Sequence, residues 1–485
     1  MIDVSPMGSQ LSLHLAYYVL LHPLSSYPGP FAAKLSDAYN GYYAFKRTLH
    51  TVTWQNHLKY GAVVRQGPNK LVFNSTAALQ DIYKNDRTTK PKAYIALGPR
   101  LKIPTVFTAQ DRQVHRVRRQ LIGRAVSEHS MRIFEPTMLD QIDLLLREIF
   151  HSTQRSQSTT INMTERARLL GFDLAGLLAF GYNLNLQARE ENRFVLPMLE
   201  AGFFWSSVFL HWPLTRRFSI ALAILKVFRR LRSQYLSLVE YIISSRTKQD
   251  KHAQHDLYSI VAEELDSSES NGIRESELWA EAIVFLPAAG DTTKTALAAI
   301  FFYLSQNDQC YNTLANEIRS SFTSGNQVCG SALTGCQYLR ACIDEALRIE
   351  AYPSDQPFTV DGHVVPHGTI VGVNIYSIHY NEGYFPDPFT FRPERWLDDA
   401  KTMRDAFAPF SLGPRGCAGK AMEYLEISLV VAKIMWYFDF RSVGSEHAGV
   451  FELLDNFTSS HDGPHLEFQQ RGEHGKELGD TQLKS

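Results

Sequence analysis

Apolar residues recur at spacings of three and four from about residue 75 to residue 348, which restricts the fold more than any other feature of the chain. This spacing places the apolar side chains on one face of a helix. Two polar stretches, 151–160 and 264–275, interrupt the pattern and are interpreted as surface loops, because both are short and flanked by helix signals. The periodicity is clearest in four stretches: TMLDQIDLLLREIF, FVLPMLEAGFFW, RRLRSQYLSLVEYIISSR and YLRACIDEALRI.

Strand signals lie on either side of this helical region. Residues 62–73 contain two apolar runs around the turn GPNK, which predicts a hairpin. Residues 357–374 alternate between apolar and polar and turn at Asp361-Gly362. A second hairpin is predicted within residues 453–468. The chain is therefore predicted to be mainly α with a smaller β portion, an α+β protein.

Composition is that of an ordinary globular protein with ample material for a large core. Length alone would suggest about three domains, but the two polar stretches are interpreted as loops rather than linkers, so we predict one large domain over residues 27–468 and a polar, disordered tail at 469–485. The chain has 485 residues, of which 44% are hydrophobic, and a formal net charge of −1. It has no long basic block, which argues against a nucleic-acid partner. Its five cysteines are odd in number and form no CxxC pair, which argues against a disulfide framework or a zinc site. This usage fits a reducing compartment.

The N-terminal segment, residues 1–26, contains the apolar run LSLHLAYYVLL at 11–21. A membrane span needs about 20 apolar residues, and this run has about half of them. No basic group precedes it, so a secretory signal fits poorly. Two interpretations remain, a short buried or interfacial helix and a truncated membrane anchor. The stretch YPGP at 27–30 then predicts a rigid, extended connection.

One cysteine, Cys417, has an unusual setting in the stretch PFSLGPRGCAGKAMEYLE at 409–426. Three glycines surround it, and an apolar helix pattern follows from about Lys420. Glycines let backbone N–H groups approach the sulfur, and a helix N-terminus adds the positive end of its dipole. Both are expected to favour the thiolate, which is the form of cysteine that binds a metal.

Residues 410–419 fit the frame F-x-x-G-x-R-x-C-x-G, and this frame resembles the haem-binding loop of the cytochrome P-450 family. The resemblance covers almost the whole chain and implies the cytochrome P-450 fold with bound haem b, which is iron protoporphyrin IX. It implies that Cys417 is the iron ligand, whose charge favours O–O bond cleavage. It also implies that Arg415 binds a haem propionate, that Phe410 shields the sulfur, and that Gly413 and Gly419 shape the loop. The alternative, an inert buried side chain, is kept for the other cysteines: Cys310, Cys329, Cys336 and Cys342.

A Glu-x-x-Arg pair, Glu345 and Arg348, lies in a predicted helix, and FRPERW at 391–396 follows it. Alone, the pair is a weak signal, since such ion pairs are common on helix surfaces. In the resembled family a pair of this kind meets an arginine from a downstream segment, here Arg395, in a buried triad. We interpret the triad as structural, because a carboxylate held by two guanidinium groups is costly to break once buried.

The helical pattern at 277–304 carries Asp291 and Thr292 between apolar turns. A core helix with polar residues on its wet face is the ordinary explanation, yet buried polar residues in a helix need partners. The resemblance implies that Thr292 and Asp291 handle protons for oxygen activation, with Asp291 relaying them from solvent. Pro287 is predicted to kink this helix, because it lacks a backbone N–H.

His115 and Arg119, in DRQVHRVRRQL at 111–121, lie four residues apart and so on one helix face. The resemblance implies that they contact haem propionates, whereas an exposed basic helix is the alternative. Residues 349–391 contain no Lys or Arg, although the corresponding stretch in the family often supplies a basic group to a propionate. His363 is the candidate replacement, and impaired haem retention is the alternative.

Substrate-pocket residues are expected within 92–108, 200–212, 284–292, 350–358 and 456–460. Residues 201–214 are aromatic and apolar, and a basic stretch follows them. This combination suits contact with an anionic membrane surface, although burial in a helical core explains it equally well.

The leading hypothesis is a haem-dependent monooxygenase that hydroxylates, epoxidises or desaturates a hydrophobic small molecule, in fungal secondary metabolism. Electrons from NADPH are expected to arrive through a separate reductase, since no dinucleotide-binding glycine loop is present. Placement on the cytosolic face of the endoplasmic reticulum membrane follows from the resemblance to microsomal fungal members. Two alternatives are a haem-thiolate isomerase or dehydratase that needs no reductant, and a non-catalytic haem-binding relic.

Overall fold

A computed structural model describes residues 13, 15–85, 88–97, 103–155, 160–216, 228–265, 275–350, 354–355, 360–398, 401–443, 451–472, 474 and 477–478. Helices dominate, as the periodicity predicts, and the mainly α assignment is confirmed. The helices are α1 (Phe31–Leu35), α2 (Ala38–Phe45), α3 (Leu49–Tyr60), α4 (Thr76–Tyr83), α5 (Arg112–Ala125), α6 (Glu128–Arg155), α7 (Met163–Phe180), α8 (Val195–His211), α9 (Arg229–Thr247), α10 (Leu257–Leu265), α11 (Glu275–Asp291), α12 (Thr293–Gln306), α13 (Asp308–Ser321), α14 (Gly330–Leu333), α15 (Gln337–Glu350), α16 (Ile375–His379), α17 (Lys401–Ala406) and α18 (Lys420–Tyr437).

The β portion forms small sheets at the edges of the helical mass. The first sheet has the order β1-β2-β5-β4, in which β2 and β5 are parallel and the other pairs are antiparallel. The second has the antiparallel order β3-β9-β6, and β7 pairs with β8. The strands are β1 (Val63–Gly67), β2 (Lys70–Phe73), β3 (Thr160–Asn162), β4 (Ser354–Asp355), β5 (Ile370–Val373), β6 (Phe438–Ser442), β7 (Leu454–Asn456), β8 (Thr458–Ser460) and β9 (His465–Gln470).

The two hairpin predictions have different outcomes. The hairpin at 62–73 is confirmed as β1 and β2. The turn at Asp361-Gly362 is confirmed too, with positive φ at both residues. The second hairpin is shorter than predicted, because only β7 and β8 pair, while β9 joins β3 and β6. Leu466 and Phe468 of β9 are buried against the main core, and this burial directs the strand to the second sheet. β9 ends at Gln470, so the first two residues of the predicted tail belong to that sheet.

The core is built around α7, α11, α12 and α18, whose buried side chains belong to one apolar cluster. Helices α7 and α11 cross where Gly171 meets Gly290, since a Cβ at Gly171 would lie 2.7 Å from the Gly290 carbonyl oxygen. Helical structure continues past Pro287 to Asp291 and is interrupted at Thr292, five residues beyond the predicted kink. The close crossing fixes the backbone immediately before Asp291 and Thr292.

Candidate active site

A cavity of about 1110 Å³ lies between α11 and the loop that carries Cys417. Its wall includes Cys417 and Thr292, so the structure brings these two predicted residues to one space. The segment from Thr88 to Tyr94 and helix α5 close another side. Polar and charged groups of α5 and of the Cys417 loop line one part of the wall, and apolar side chains of α11 line another.

The Cys417 loop is shaped by its own backbone and by one required glycine. The Cys417 N–H donates to the Phe410 carbonyl over 2.8 Å, and the Gly416 N–H donates to the Gly413 carbonyl over 3.1 Å. Gly413 has a φ of +69°, and a Cβ there would lie 2.0 Å from the Tyr83 carbonyl oxygen. Glycine is therefore the residue that fits this turn. Helix α18 begins at Lys420, as predicted.

The charge state of Cys417 differs from the sequence expectation. Its side chain is exposed to the cavity, and desolvation by the surrounding protein, followed by the nearby Glu423, raises the pKa of the thiol. The Gly419 N–H and Arg119 lower that pKa, as the glycine argument predicts, but burial outweighs them. Without a metal, these effects favour the thiol over the thiolate. A bound metal cation reverses this balance, because coordination deprotonates a thiol.

The carboxylate of Glu345 is held by both predicted arginines. Arg348 donates from Nε and Nη2 to its two oxygens over 3.0 Å each, and Arg395 donates from Nε over 3.1 Å. The Trp396 indole adds a hydrogen bond of 2.9 Å. Glu345 and Arg348 have no exposed side-chain surface, and Arg395 has almost none. The structure therefore assembles the three residues into one buried cluster.

His379 connects this cluster to the Cys417 loop, and the sequence analysis missed it. Arg348 donates to the His379 carbonyl over 2.8 Å, and the Nδ1 of His379 contacts the Arg348 carbonyl over 2.6 Å. The Ala408 N–H, two residues before Phe410, donates to Nε2 over 3.1 Å. Nε2 accepts here, so the proton is on Nδ1. Burial lowers the pKa of His379 to about 3, which keeps the ring neutral.

Arg415, Arg119 and His115 all line the cavity. Arg415 donates to the carbonyls of Ala109 and Gln110 over 2.8 and 3.2 Å. Arg119 donates to the carbonyls of Gly416 and Cys417 over 2.5 and 3.2 Å, so it also supports the cysteine loop. These bonds use only part of each guanidinium, which carries five N–H donors. Burial, followed by Arg415, lowers the pKa of His115 to about 4.

Thr292 and Asp291 face different surroundings. Thr292 lines the cavity, and its hydroxyl donates to the Ala288 carbonyl over 3.0 Å. Asp291 is buried, and its carboxylate accepts from Arg168 Nε over 3.0 Å and from Lys294 Nζ over 2.5 Å. Arg168 also reaches Glu200, which is about half exposed. Asp291 therefore lies between the cavity wall and a charged path toward the surface.

Two glutamates on α18, Glu423 and Glu426, were missed by the sequence analysis. Glu423 lines the cavity and accepts a hydrogen bond of 3.0 Å from the Thr293 hydroxyl. Burial raises the pKa of Glu423 to about 7 and that of Glu426 well above its usual value. The signal was available, because two glutamates three residues apart interrupt an otherwise apolar helix.

Four of the five predicted pocket segments contribute to the cavity wall. Side chains from 92–108, 200–212, 284–292 and 456–460 line the cavity, and most of 350–358 lies outside the described residues. His363 does not line it and instead packs its ring near Tyr27 and Phe73. The apolar and aromatic wall residues include Tyr94, Val106, Phe107, Leu210, Val284, Phe285, Ala288, Ala289 and Phe457.

The wall fits a haem by its chemistry. One cysteine sulfur opens into the cavity as a candidate axial ligand, and a glycine-shaped loop leaves room around it. Basic side chains gather on one side of the cavity, where the two propionates of a haem need counter-charges. The apolar residues of α11 suit the apolar face of a porphyrin and a hydrophobic substrate. The residues present thus match the cofactor that the resemblance implies.

Comparisons with known proteins agree with this arrangement. A model of the cytochrome P-450 family matches residues 38–452. The cytochrome P-450 monooxygenase poxM of Penicillium oxalicum is 32% identical over 470 residues, which are 94% of this chain and 91% of the relative. The cytochrome P-450 monooxygenases AKT7 of Alternaria alternata and apf7 of Gibberella fujikuroi are each 30% identical and cover 94% of this chain and 94% and 95% of their own.

Proposed function

The chain belongs to the cytochrome P-450 family of haem-thiolate monooxygenases, and on that premise we propose that it oxidises a hydrophobic small molecule in fungal secondary metabolism. One observation carries the proposal, the placement of Cys417 and Thr292 in one cavity with an apolar wall. Hydroxylation, epoxidation and desaturation all fit such a cavity. The family uses haem, with electrons from NADPH delivered by a separate reductase.

The cofactor-binding roles are divided among the residues of one cavity wall. When bound, the haem supplies the iron and the redox chemistry that activates dioxygen. Cys417 supplies the sulfur ligand, and Phe410 covers the approach to it. Gly413 and Gly419 give the loop its shape, while Arg415, His115 and Arg119 offer donors to the propionates. The cluster of Glu345, Arg348 and Arg395 holds the loop through His379.

Thr292 and Asp291 are proposed to deliver protons to the cavity. The Thr292 hydroxyl lines the wall, and the neighbouring carboxylate of Asp291 is connected through Arg168 to the half-exposed Glu200. A proton that enters at Glu200 can reach Asp291 when its contact with Arg168 or Lys294 opens. Thr292 would then give its hydroxyl proton to the oxygen that reacts in the cavity and take up the proton held by Asp291 in exchange, the role of a positioned acid.

A haem-thiolate isomerase or dehydratase would need no reductant and no proton relay. The buried charge group around Asp291, next to a cavity-lining threonine, favours the monooxygenase instead. A haem-binding relic would release no product under any condition. Turnover with and without reductant separates these three functions.

Membrane contact is proposed for a surface built by the N-terminal segment and α8. Leu13, Leu20, Leu21 and Phe31 are between 62% and 74% exposed. The turn at Tyr17–Leu21 contacts α1, α1 contacts α2, and α2 contacts α8, so the exposed side chains lie on neighbouring elements. An apolar surface of this kind suits the headgroup region of a bilayer. We place it on the cytosolic face of the endoplasmic reticulum.

No helix in the described part of the chain has the length and apolarity needed to cross a bilayer. The proposed association is contact of the exposed apolar side chains with the membrane interface. Flotation with vesicles of neutral and anionic phospholipid tests it. Substituting Leu20 and Leu21 by Ser should reduce the bound fraction, and an unchanged fraction would contradict the proposed surface.

The function is tested by reconstitution with a fungal NADPH reductase and a panel of hydrophobic small molecules. Product that requires NADPH, dioxygen and reductase supports the monooxygenase, and product formed without them supports the isomerase. Replacing Cys417 with Ser should abolish the shifted Soret band that a thiolate ligand produces in the reduced carbon-monoxide complex. A band that survives this change would contradict the assignment of the ligand.

A further inference from the structure

Basic side chains from three separate segments converge on one side of the cavity. Lys90, His115, Arg119 and Arg415 all line it. The side chains are close enough to interact electrostatically, since Arg415, Lys90 and Arg119 each lower the pKa of His115. In the part of the chain that the structure describes, no carboxylate lies within ion-pair distance of Lys90, Arg119 or Arg415. Lys90, Arg119 and Arg415 are partly buried, and cations that are partly withdrawn from water without an acidic partner favour an anion beside them.

Lys90 has the most demanding position in this group. Its Nζ donates to the Phe107 carbonyl over 2.6 Å and lies 4.0 Å from the centre of the Phe107 ring and 4.9 Å from that of Tyr94. An ammonium group has three donors, and one carbonyl satisfies only one of them. Burial, followed by Arg415, lowers the pKa of Lys90 to about 7. An anion beside Lys90 would accept a further hydrogen bond from the ammonium group and raise its pKa.

The position of Lys90 relative to Arg415 is fixed by a shared backbone segment. Gln110 donates from its side chain to the Lys90 carbonyl over 2.9 Å, and Thr89 donates to the Gln110 carbonyl over 2.7 Å. Arg415 donates to the carbonyls of Ala109 and Gln110. Both cations are thus held by residues 109–110, which fixes their spacing before any anion binds.

The stretch that was expected to supply a cation does not do so. Residues 349–391 contain no Lys or Arg, and His363 lies outside the cavity wall. Lys90 approaches the cavity from the opposite end of the sequence, so nothing in the local pattern around 349–391 indicates it. Lys90 therefore brings to the cavity the positive charge that residues 349–391 lack.

We propose that Lys90 binds a carboxylate of the cofactor, as a haem-propionate ligand that replaces the basic group absent from residues 349–391. The inference rests on the haem-dependent function proposed above. The chemistry that Lys90 recognises is a carboxylate, which a substrate could also carry. Removing the carboxylates from the porphyrin alone separates these two sources.

The test compares haem loss from Lys90→Met, Lys90→Arg and Lys92→Met in the full-length, haem-loaded protein. Lys92 is an exposed lysine two residues along the same segment that does not line the cavity, so Lys92→Met is the matched control. Haem transfer to excess apomyoglobin gives the dissociation rate. We expect about tenfold faster loss from Lys90→Met, as removal of one charge-assisted hydrogen bond implies. Lys90→Arg and Lys92→Met should remain within about twofold of wild type.

A second arm uses iron protoporphyrin IX dimethyl ester, which has no carboxylates. If Lys90 binds a propionate, the difference between wild type and Lys90→Met should disappear with the ester. If wild type and Lys90→Met differ by the same factor with both porphyrins, the role of Lys90 is structural and the inference is overturned. Equal rates of loss of the free-acid haem from wild type and Lys90→Met overturn it too. Lys90→Gln replaces Lys90→Met if the latter does not fold.

The same samples separate this inference from the proposed function. If wild type shows the thiolate-type Soret band and Lys90→Met loses haem at the wild-type rate, only the role of Lys90 is contradicted. Wild type without that band contradicts the haem-thiolate function, and the inference fails with it.

Discussion

The role of a single residue at this site depends on the hydrogen-bond partners of its polar atoms. Thr292 illustrates this, because its hydroxyl lines the cavity while the adjacent Asp291 is enclosed by Arg168 and Lys294. Arg395 illustrates it differently, since four of the five N–H donors of its guanidinium meet an oxygen, on Glu345, Pro386, Asp387 and Thr390. The first residue is placed for chemistry and the second for support, and their substitutions should have different effects.

Replacing Thr292 with Ala should uncouple reductant use from product formation. The protein should still fold and bind haem, because the hydroxyl contacts the Ala288 carbonyl of its own helix and the side chain of Glu423, and neither contact holds the cysteine loop. We expect NADPH consumption to continue while product per NADPH falls about tenfold or more, the scale of a lost proton-transfer group. Thr292→Ser keeps the hydroxyl and is the control. If Thr292→Ala forms as much product per NADPH as wild type, Thr292 is not part of the proton relay.

Replacing Arg395 with Lys should destabilise the protein although the charge is retained. An ammonium cannot reproduce the planar donor pattern that meets Glu345 and three backbone carbonyls. Breaking a buried ion pair costs about 3–5 kcal/mol, and we expect the Lys variant to lose a large part of this. Denaturant unfolding measures the change. Arg392→Lys, at a half-exposed neighbour, should cost less than about 1 kcal/mol.

Elements determine where those residues lie, and the crossing of α7 with α11 is the tightest of these contacts. Gly171 and Gly290 allow the two backbones to approach directly below the interruption at Thr292. Sequence periodicity predicted both helices but not this contact, because a glycine in a helical pattern gives no sign of which helix faces it. The pairing depends on tertiary packing, which one sequence does not display.

Substituting Gly171 by Ala should therefore destabilise the protein. The added Cβ would lie 2.7 Å from the Gly290 carbonyl oxygen, so the helices must separate. We expect a loss of about 1–3 kcal/mol in the free energy of unfolding, as for overpacked cores. Gly202→Ala in α8 is the matched control, because nothing lies within 4 Å of its Cβ position. That change should stabilise α8 by about 0.5–1 kcal/mol, and equal effects at both sites would contradict the contact.

The whole molecule combines elements that the sequence predicted well with contacts that it did not reveal. The helical region, the first hairpin and the Cys417 loop follow local patterns, so periodicity and turn residues were sufficient. The motif spacing likewise brought Glu345, Arg348 and Arg395 together correctly. Lys90, His379 and Arg168 were missed, because each acts across more than a hundred residues or through a backbone carbonyl. Lys294 was missed as well, although it lies only three residues after Asp291 and its spacing was visible in the sequence.

Acid should weaken the molecule through its buried histidines. Burial lowers the pKa of His379 to about 3, and that of His57 to about 4, below the usual 6.5. At these histidines the unfolded chain binds protons first, so their contribution to stability is complete above about pH 6.5 and falls as the pH drops below it. His379 should contribute up to about 1.4 kcal/mol of loss per pH unit.

Denaturant unfolding at about pH 7.5 and about pH 5.5 measures this dependence. His379→Gln retains a donor and an acceptor but does not titrate, so its stability should fall less than that of wild type over the interval, by about 1 kcal/mol. Equal falls in the two proteins would show that His379 is not neutral in the folded state.

The hydrogen bonds around Cys417 have a consequence for assembly. Phe410, Gly413 and Arg119 hold the loop through contacts that the polypeptide makes with itself. None of these hydrogen bonds involves the metal at the centre of a porphyrin, so the shape of the loop gives no means of choosing among metals. Porphyrins that carry other metals should then enter at rates close to that of haem, and selectivity for iron would reside in the affinity of one sulfur atom.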